Sequence, residues 1–104
     1  MGDELGRWAE PAVLVLTSLA GGDKHGYAII QDIAAQLNVT FGPGTLYAVI
    51  SRLEGLGLIE GLPIEGRRRP YRLTAAGASA LGEQAARMRD VARLSLTRLG
   101  LVAA

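Results

Sequence analysis

The sequence predicts a mainly α-helical domain carrying one small β-hairpin, and three observations lead there. Apolar residues recur at three- and four-residue spacing in stretches before residue 57 and after residue 74, the period of buried helix faces. Two short, partly alternating runs, Leu58–Leu62 and Pro70–Thr74, flank a loop of glycine and arginine, the pattern of a hairpin. At 104 residues and 49% apolar content, the chain suits one globular domain. Its core is modest, so a partner chain would add to it.

The first helix is expected over about Glu10–Leu19. Pro11 suits a first turn, where its missing N–H costs nothing. Val13, Leu14, Leu16 and Leu19 make this helix apolar on most sides, and Gly21-Gly22 ends it. A second helix, about Lys24–Leu37, takes Asp23 as its expected N-cap and Asn38 as its stop. Ile29, Ile30, Ile33, Ala34 and Leu37 are its inner face.

The third helix opens with Gly42-Pro43-Gly44-Thr45. Leu46, Val49, Ile50, Leu53 and Leu56 form its apolar stripe. Gly44, Thr45, Tyr47, Ala48, Ser51 and Arg52 fall on the opposite face, and Gly57 is the expected C-terminal cap. The hairpin loop is Glu65-Gly66-Arg67-Arg68-Arg69, and Pro70 predicts an edge strand because it cannot donate to a ladder. Thr74 is the expected N-cap of a last helix reaching Leu99. Along it Leu81, Ala85, Met88, Ala92, Ser95 and Leu99 form a heptad-like seam, widened by Val91 and Leu94. Helices average about 11–12 residues. One twice that length, with an apolar stripe, calls for a second chain to cover it.

The order helix, helix, helix, hairpin, helix is that of a winged helix-turn-helix with an added dimerisation helix. Residues 1–74 make the DNA-binding part with its N-terminal helix, residues 75–104 the dimerisation helix, in a single compact unit.

Composition excludes several classes. The absence of cysteine rules out disulfides, a thiol nucleophile and a cysteine zinc site. One histidine and no paired-acid motif leave little for a catalytic constellation, so no enzyme is expected. Gly42-Pro43-Gly44-Thr45 lacks the Gly-Lys-Ser/Thr ending of a phosphate-binding P-loop. No metal spacing is present, and no cofactor is expected. No apolar run reaches the roughly 18–20 residues of a membrane span, and the positive start of a secretory signal is missing. The expectation is a cytoplasmic protein with no membrane partner. Net charge is only +1, but four of the 11 basic residues lie between Arg67 and Arg72. The first 23 residues carry four acids and one base.

Three stretches resemble the PadR family of bacterial transcriptional regulators. His25-Gly26-Tyr27-Ala28-Ile29-Ile30 is similar to the opening of the family's second helix. Pro43-Gly44-Thr45-Leu46-Tyr47, continued by Arg52-Leu53-Glu54 and Gly57-Leu58-Ile59, resembles its recognition helix running into the first wing strand. Gly66-Arg67-Arg68-Arg69-Pro70-Tyr71-Arg72-Leu73-Thr74, then Gly77, resembles its basic wing and the threonine that starts the last helix. The resemblance implies a short-form winged-helix homodimer whose last helix packs on the partner, with repression as its usual action.

Several residues are candidates for double-stranded DNA. On the third helix, Gly44 permits close approach, Thr45, Ser51 and Tyr47 offer hydroxyls, and Arg52 reaches phosphate or guanine. Arg67, Arg68 and Arg69 crowd like charges at a hairpin tip and suit phosphates or a narrow minor groove. Lys24 and Tyr27 stand where the second helix crosses the backbone, while His25 reads as a cap or packing group. The dimer seam and Trp8 are the expected interface with a second copy, and Trp8 with Met88 suggests a pocket for a small aromatic effector. The alternative is a winged helix that binds protein only. It would have little reason to keep both a basic wing and a polar recognition face.

Overall fold

The computed structural model describes residues 11–101. Among them are four helices and three strands. In chain order these are α1 (Pro11–Ala20), β1 (Lys24–His25), α2 (Gly26–Leu37), α3 (Pro43–Gly55), β2 (Ile59–Gly61), β3 (Pro70–Leu73) and α4 (Ala75–Arg98). The expected helix start at Glu10 and the interface residue Trp8 lie outside the described residues.

The apolar periodicities meet in one core. Leu14, Val15, Leu16 and Leu19 of α1 pack with Ile29 and Ile33 of α2 and Leu46, Ile50 and Leu53 of α3. Ile59 and Tyr71 close it from the sheet. Leu37 and Leu56, expected in the stripes, stay exposed because each sits at a helix end, past the edge of that core.

Helix ends follow local chemistry. Asn38 takes a left-handed φ of 55° at the end of α2. At the end of α3, Gly57 has φ +74°; its N–H donates to the Glu54 carbonyl and that of Leu58 to the Leu53 carbonyl. That pair of bonds is the Schellman motif, which uses glycine for the left-handed residue. The Thr74 hydroxyl accepts from the Gly77 N–H and donates to the Gly57 carbonyl, tying the start of α4 to the end of α3.

Two expectations are corrected. The N-cap of α2 is His25, whose Nδ1 accepts from the Ala28 N–H at 3.3 Å, and not Asp23. The Asp23 carboxylate is drawn away to Arg72, 3.1 Å distant. The sheet is three-stranded in the order β1-β3-β2, so β3 is central and Pro70 is not on an edge. Proline is accommodated as the first residue of that strand, opposite His25.

α4 packs its first turns on α1, and its only buried residue is Gly77. At about 1.5 Å per residue it accounts for most of the 52 Å long axis. Of the predicted seam, Leu81 is half-buried against the core, while Ala85, Met88, Ala92, Ser95 and Leu99 are exposed. No helix among the described residues is long and apolar enough to cross a membrane, and no cluster of three metal-ligating side chains occurs there.

Candidate nucleic-acid interface

Helix α3 turns its stripe inward and leaves Gly44, Thr45, Tyr47, Ala48, Ser51 and Arg52 exposed, as its spacing predicts. Its N-cap, Gly42, makes no side-chain capping bond. The first-turn N–H groups therefore remain open to an acceptor such as phosphate.

The wing stands beside this helix start. Glu65 and Arg68 exchange two backbone hydrogen bonds around Gly66-Arg67. Gly66, at φ +63°, supplies the positive φ that a two-residue hairpin turn needs at its first central position. Between wing and helices runs a groove of about 300 Å³. Tyr27 and Tyr47 form its helical wall, Arg67, Arg68 and Arg69 its wing wall, and Tyr71 with His25 and Gly26 completes it. Tyr27 and Tyr47 are 59% and 51% exposed, so part of each side chain is open to the groove.

The three wing arginines are not equivalent. Arg67, at the turn, makes no hydrogen bond or ion pair with the described residues. Arg68 Nη1 lies 3.1 Å from His25 Nε2. A neutral imidazole has one N–H. While Nδ1 accepts from Ala28, Nε2 carries that proton and cannot accept from Arg68. Arg68 is thus only weakly held. Arg69 Nη1 donates to the Leu62 carbonyl at 3.1 Å.

Lys24 is similarly occupied. Its ammonium donates to the Ser18 and Gly22 carbonyls at the end of α1 and lies 4.0 Å from Asp32. Thr45, Ser51 and Arg52 lie along α3 outside the groove. Burial raises the Tyr71 phenol above its ordinary pKa, with the Glu54 carboxylate and Tyr47 adding and Arg69 opposing. Tyr71 and Gly26 join the site unannounced by the sequence: strand alternation marks Tyr71 only as core, and the closeness of Gly26 to Tyr47 depends on how two helices meet.

A model of the transcriptional regulator PadR-like family matches residues 15–83, spanning the core helices, the wing and the start of α4. The chain belongs to this family. It is 37% identical over 82 residues to Transcriptional regulator Rv3488 of Mycobacterium tuberculosis, covering 76% of each chain. It is 43% identical over 89 residues to an uncharacterised 37.1 kDa protein in transposon TN4556 of Streptomyces fradiae. That match covers 86% of this chain but spans only 25% of the transposon protein's length. Among solved structures, a PadR family transcriptional regulator from Eggerthella lenta superposes with a TM-score of 0.78 at 29% identity, covering 92% of this chain and 86% of that one. A PadR family regulator from Clostridium difficile shares the fold, with a TM-score of 0.76 at 22% identity over 85% of this chain and 96% of that one. Family and fold are those of PadR-like winged-helix transcriptional regulators, not of enzymes.

Proposed function

We propose that this PadR-like chain binds a near-palindromic operator as a homodimer and represses transcription there. The observation that carries this reading is the groove itself: two exposed tyrosines on the helices face a wing whose Arg67 makes no bond with the described residues and whose Arg68 is only weakly held. α3 enters the major groove with Thr45, Tyr47, Ser51 and Arg52 toward bases and phosphates. Gly44 lets the helix start approach closely, and Tyr27 meets the flanking backbone. Arg67 and Arg68 supply counterion release, so affinity falls steeply with salt. Two copies joined through the seam of α4 set their recognition helices about 34 Å apart, one DNA turn.

The test is selection of genomic DNA fragments by the purified protein, followed by binding of symmetric and half-site duplexes. Enrichment of one inverted repeat, bound more tightly than its half-site, is the expected result. No enrichment above input would favour a winged helix that binds protein instead.

A further inference from the structure

Arg69 turns back on its own protein. To reach the Leu62 carbonyl its side chain crosses Gly61 of β2. A Cβ at Gly61 would stand 2.9 Å from Arg69 Cδ and 3.3 Å from Nη1. The same position lies 3.4 Å from Glu54 Oε2, on α3. Gly61 pairs with Tyr71 across the sheet, and the Tyr71 phenol feels both the Glu54 carboxylate and the Arg69 guanidinium. The φ of Gly61 is not positive, so its backbone does not require glycine. What glycine supplies is the bare strand surface over which a side chain can lie. A guanidinium suits that place, being flat, weakly hydrated and rich in fixed donors.

We propose that Arg69 is a positioning residue of the DNA interface and not a phosphate contact. It latches the base of the wing over Gly61 beside Glu54, and so sets where Arg67 and Arg68 stand relative to Tyr47. The role rests on the DNA-binding reading above. Glu54 opposite the latch adds charge complementarity without touching the ligand.

The test is a double-mutant cycle with Gly61→Ala, Arg69→Ala and both, and Arg67→Ala as reference. Binding to the selected operator duplex is measured across a salt series. Arg69→Ala is expected to weaken binding about five-fold with the salt slope unchanged, whereas Arg67→Ala lowers that slope by about one. Gly61→Ala should weaken binding by about as much as Arg69→Ala, and add nothing in the Arg69→Ala background. Unchanged thermal unfolding in Arg69→Ala separates positioning from general stability. A slope loss in Arg69→Ala equal to that of Arg67→Ala, or additive effects of the pair, overturns the proposal. A readout without DNA is the NMR signal of the Arg69 Nε–H, which Gly61→Ala should move while leaving that of Arg67 in place. No movement overturns the latch whatever the DNA result. A wild-type protein that binds no duplex overturns the DNA reading and the positioning role with it, and the NMR arm distinguishes that failure from a missing latch.

Discussion

Gly26 of α2 lies against the Tyr47 side chain of α3. A methyl group at Gly26 would stand 2.6 Å from the Tyr47 hydroxyl oxygen, 3.0 Å from its Cζ and 3.1 Å from Leu46 Cδ2. The missing side chain on one helix thus sets the pose of a groove tyrosine on the next. Gly26→Ala must displace that ring. Tyr47 is half exposed and can swing toward solvent, while the buried Leu46 has to give only slightly. The expected stability loss is therefore about 1 kcal/mol, the low end for overpacking. Operator affinity should fall about ten-fold, near 1.4 kcal/mol. Denaturant titration and fluorescence anisotropy check the two numbers. A stability loss with unchanged binding would remove Tyr47 from the interface.

Gly77 is constrained by backbone. It is buried in the first turn of α4, and a Cβ there would overlap the Leu58 carbonyl oxygen and come within 2.8 Å of Leu73 Cδ1. The Leu58 carbonyl cannot yield freely, because it accepts the Thr74 N–H at 3.1 Å. Gly77→Ala should therefore destabilise the fold by about 3 kcal/mol, the upper part of the overpacking range. Ala78→Gly, an exposed neighbour, should cost about 1 kcal/mol through helix propensity alone. Urea midpoints of the two variants test the ordering. Equal losses would mean that α4 lifts off Leu58 at little cost.

What could be read from sequence was what one segment decides for itself. Leu46, Ile50 and Leu53 mark the inner face of α3 by spacing alone, Thr74 starts α4 with its own hydroxyl, and Gly57 and Asn38 end helices by their own conformational preferences. β1 was not legible, since two residues cannot alternate and only β3 makes them a strand. The Asp23 cap failed for a similar reason, because its carboxylate answers to Arg72, 49 residues away. The three wing arginines are one letter in sequence, yet they separate into open, weakly held and latched once the turn and Gly61 assign each a surroundings. Gly61 has no sequence signal beyond being glycine, and Gly26 only its place in the His25-Gly26-Tyr27 stretch, for the atoms they make room for come from other elements.

Tyr71 gives a pH dependence with a definite sign. Burial raises its pKa in the folded state above the ordinary 10.0, so the folded protein holds this proton more tightly than the unfolded chain. The associated stability is fully present below about pH 10 and is lost as pH rises through the shifted value. Tyr71→Phe keeps the ring in the core and removes the titration. Stability measured from pH 8 to 11.5 should fall more steeply above pH 10 in the wild type than in the variant. Parallel curves would place the phenol in water.

The length of α4 is the basis of the last prediction. Met88, Val91, Leu94, Leu99 and Leu101 are each about half exposed or more, Leu99 at 70%. A contiguous apolar surface of this kind on a small domain marks an interaction site. A second copy is the partner that the heptad-like steps of the seam favour, since self-association brings identical stripes together. Met88→Glu with Leu99→Glu puts two carboxylates into that contact and touches no core residue. Light scattering at micromolar concentration should report a dimer for the wild type and a monomer for the double variant, with little change in the helical signal by circular dichroism. Because each half-site is then bound alone, the variant should lose its preference for the symmetric operator over the half-site while keeping the half-site affinity. A wild-type monomer would deny the seam its partner. A variant that stays dimeric would move the contact off Met88 and Leu99, toward the flank of the seam where Val91 and Leu94 lie.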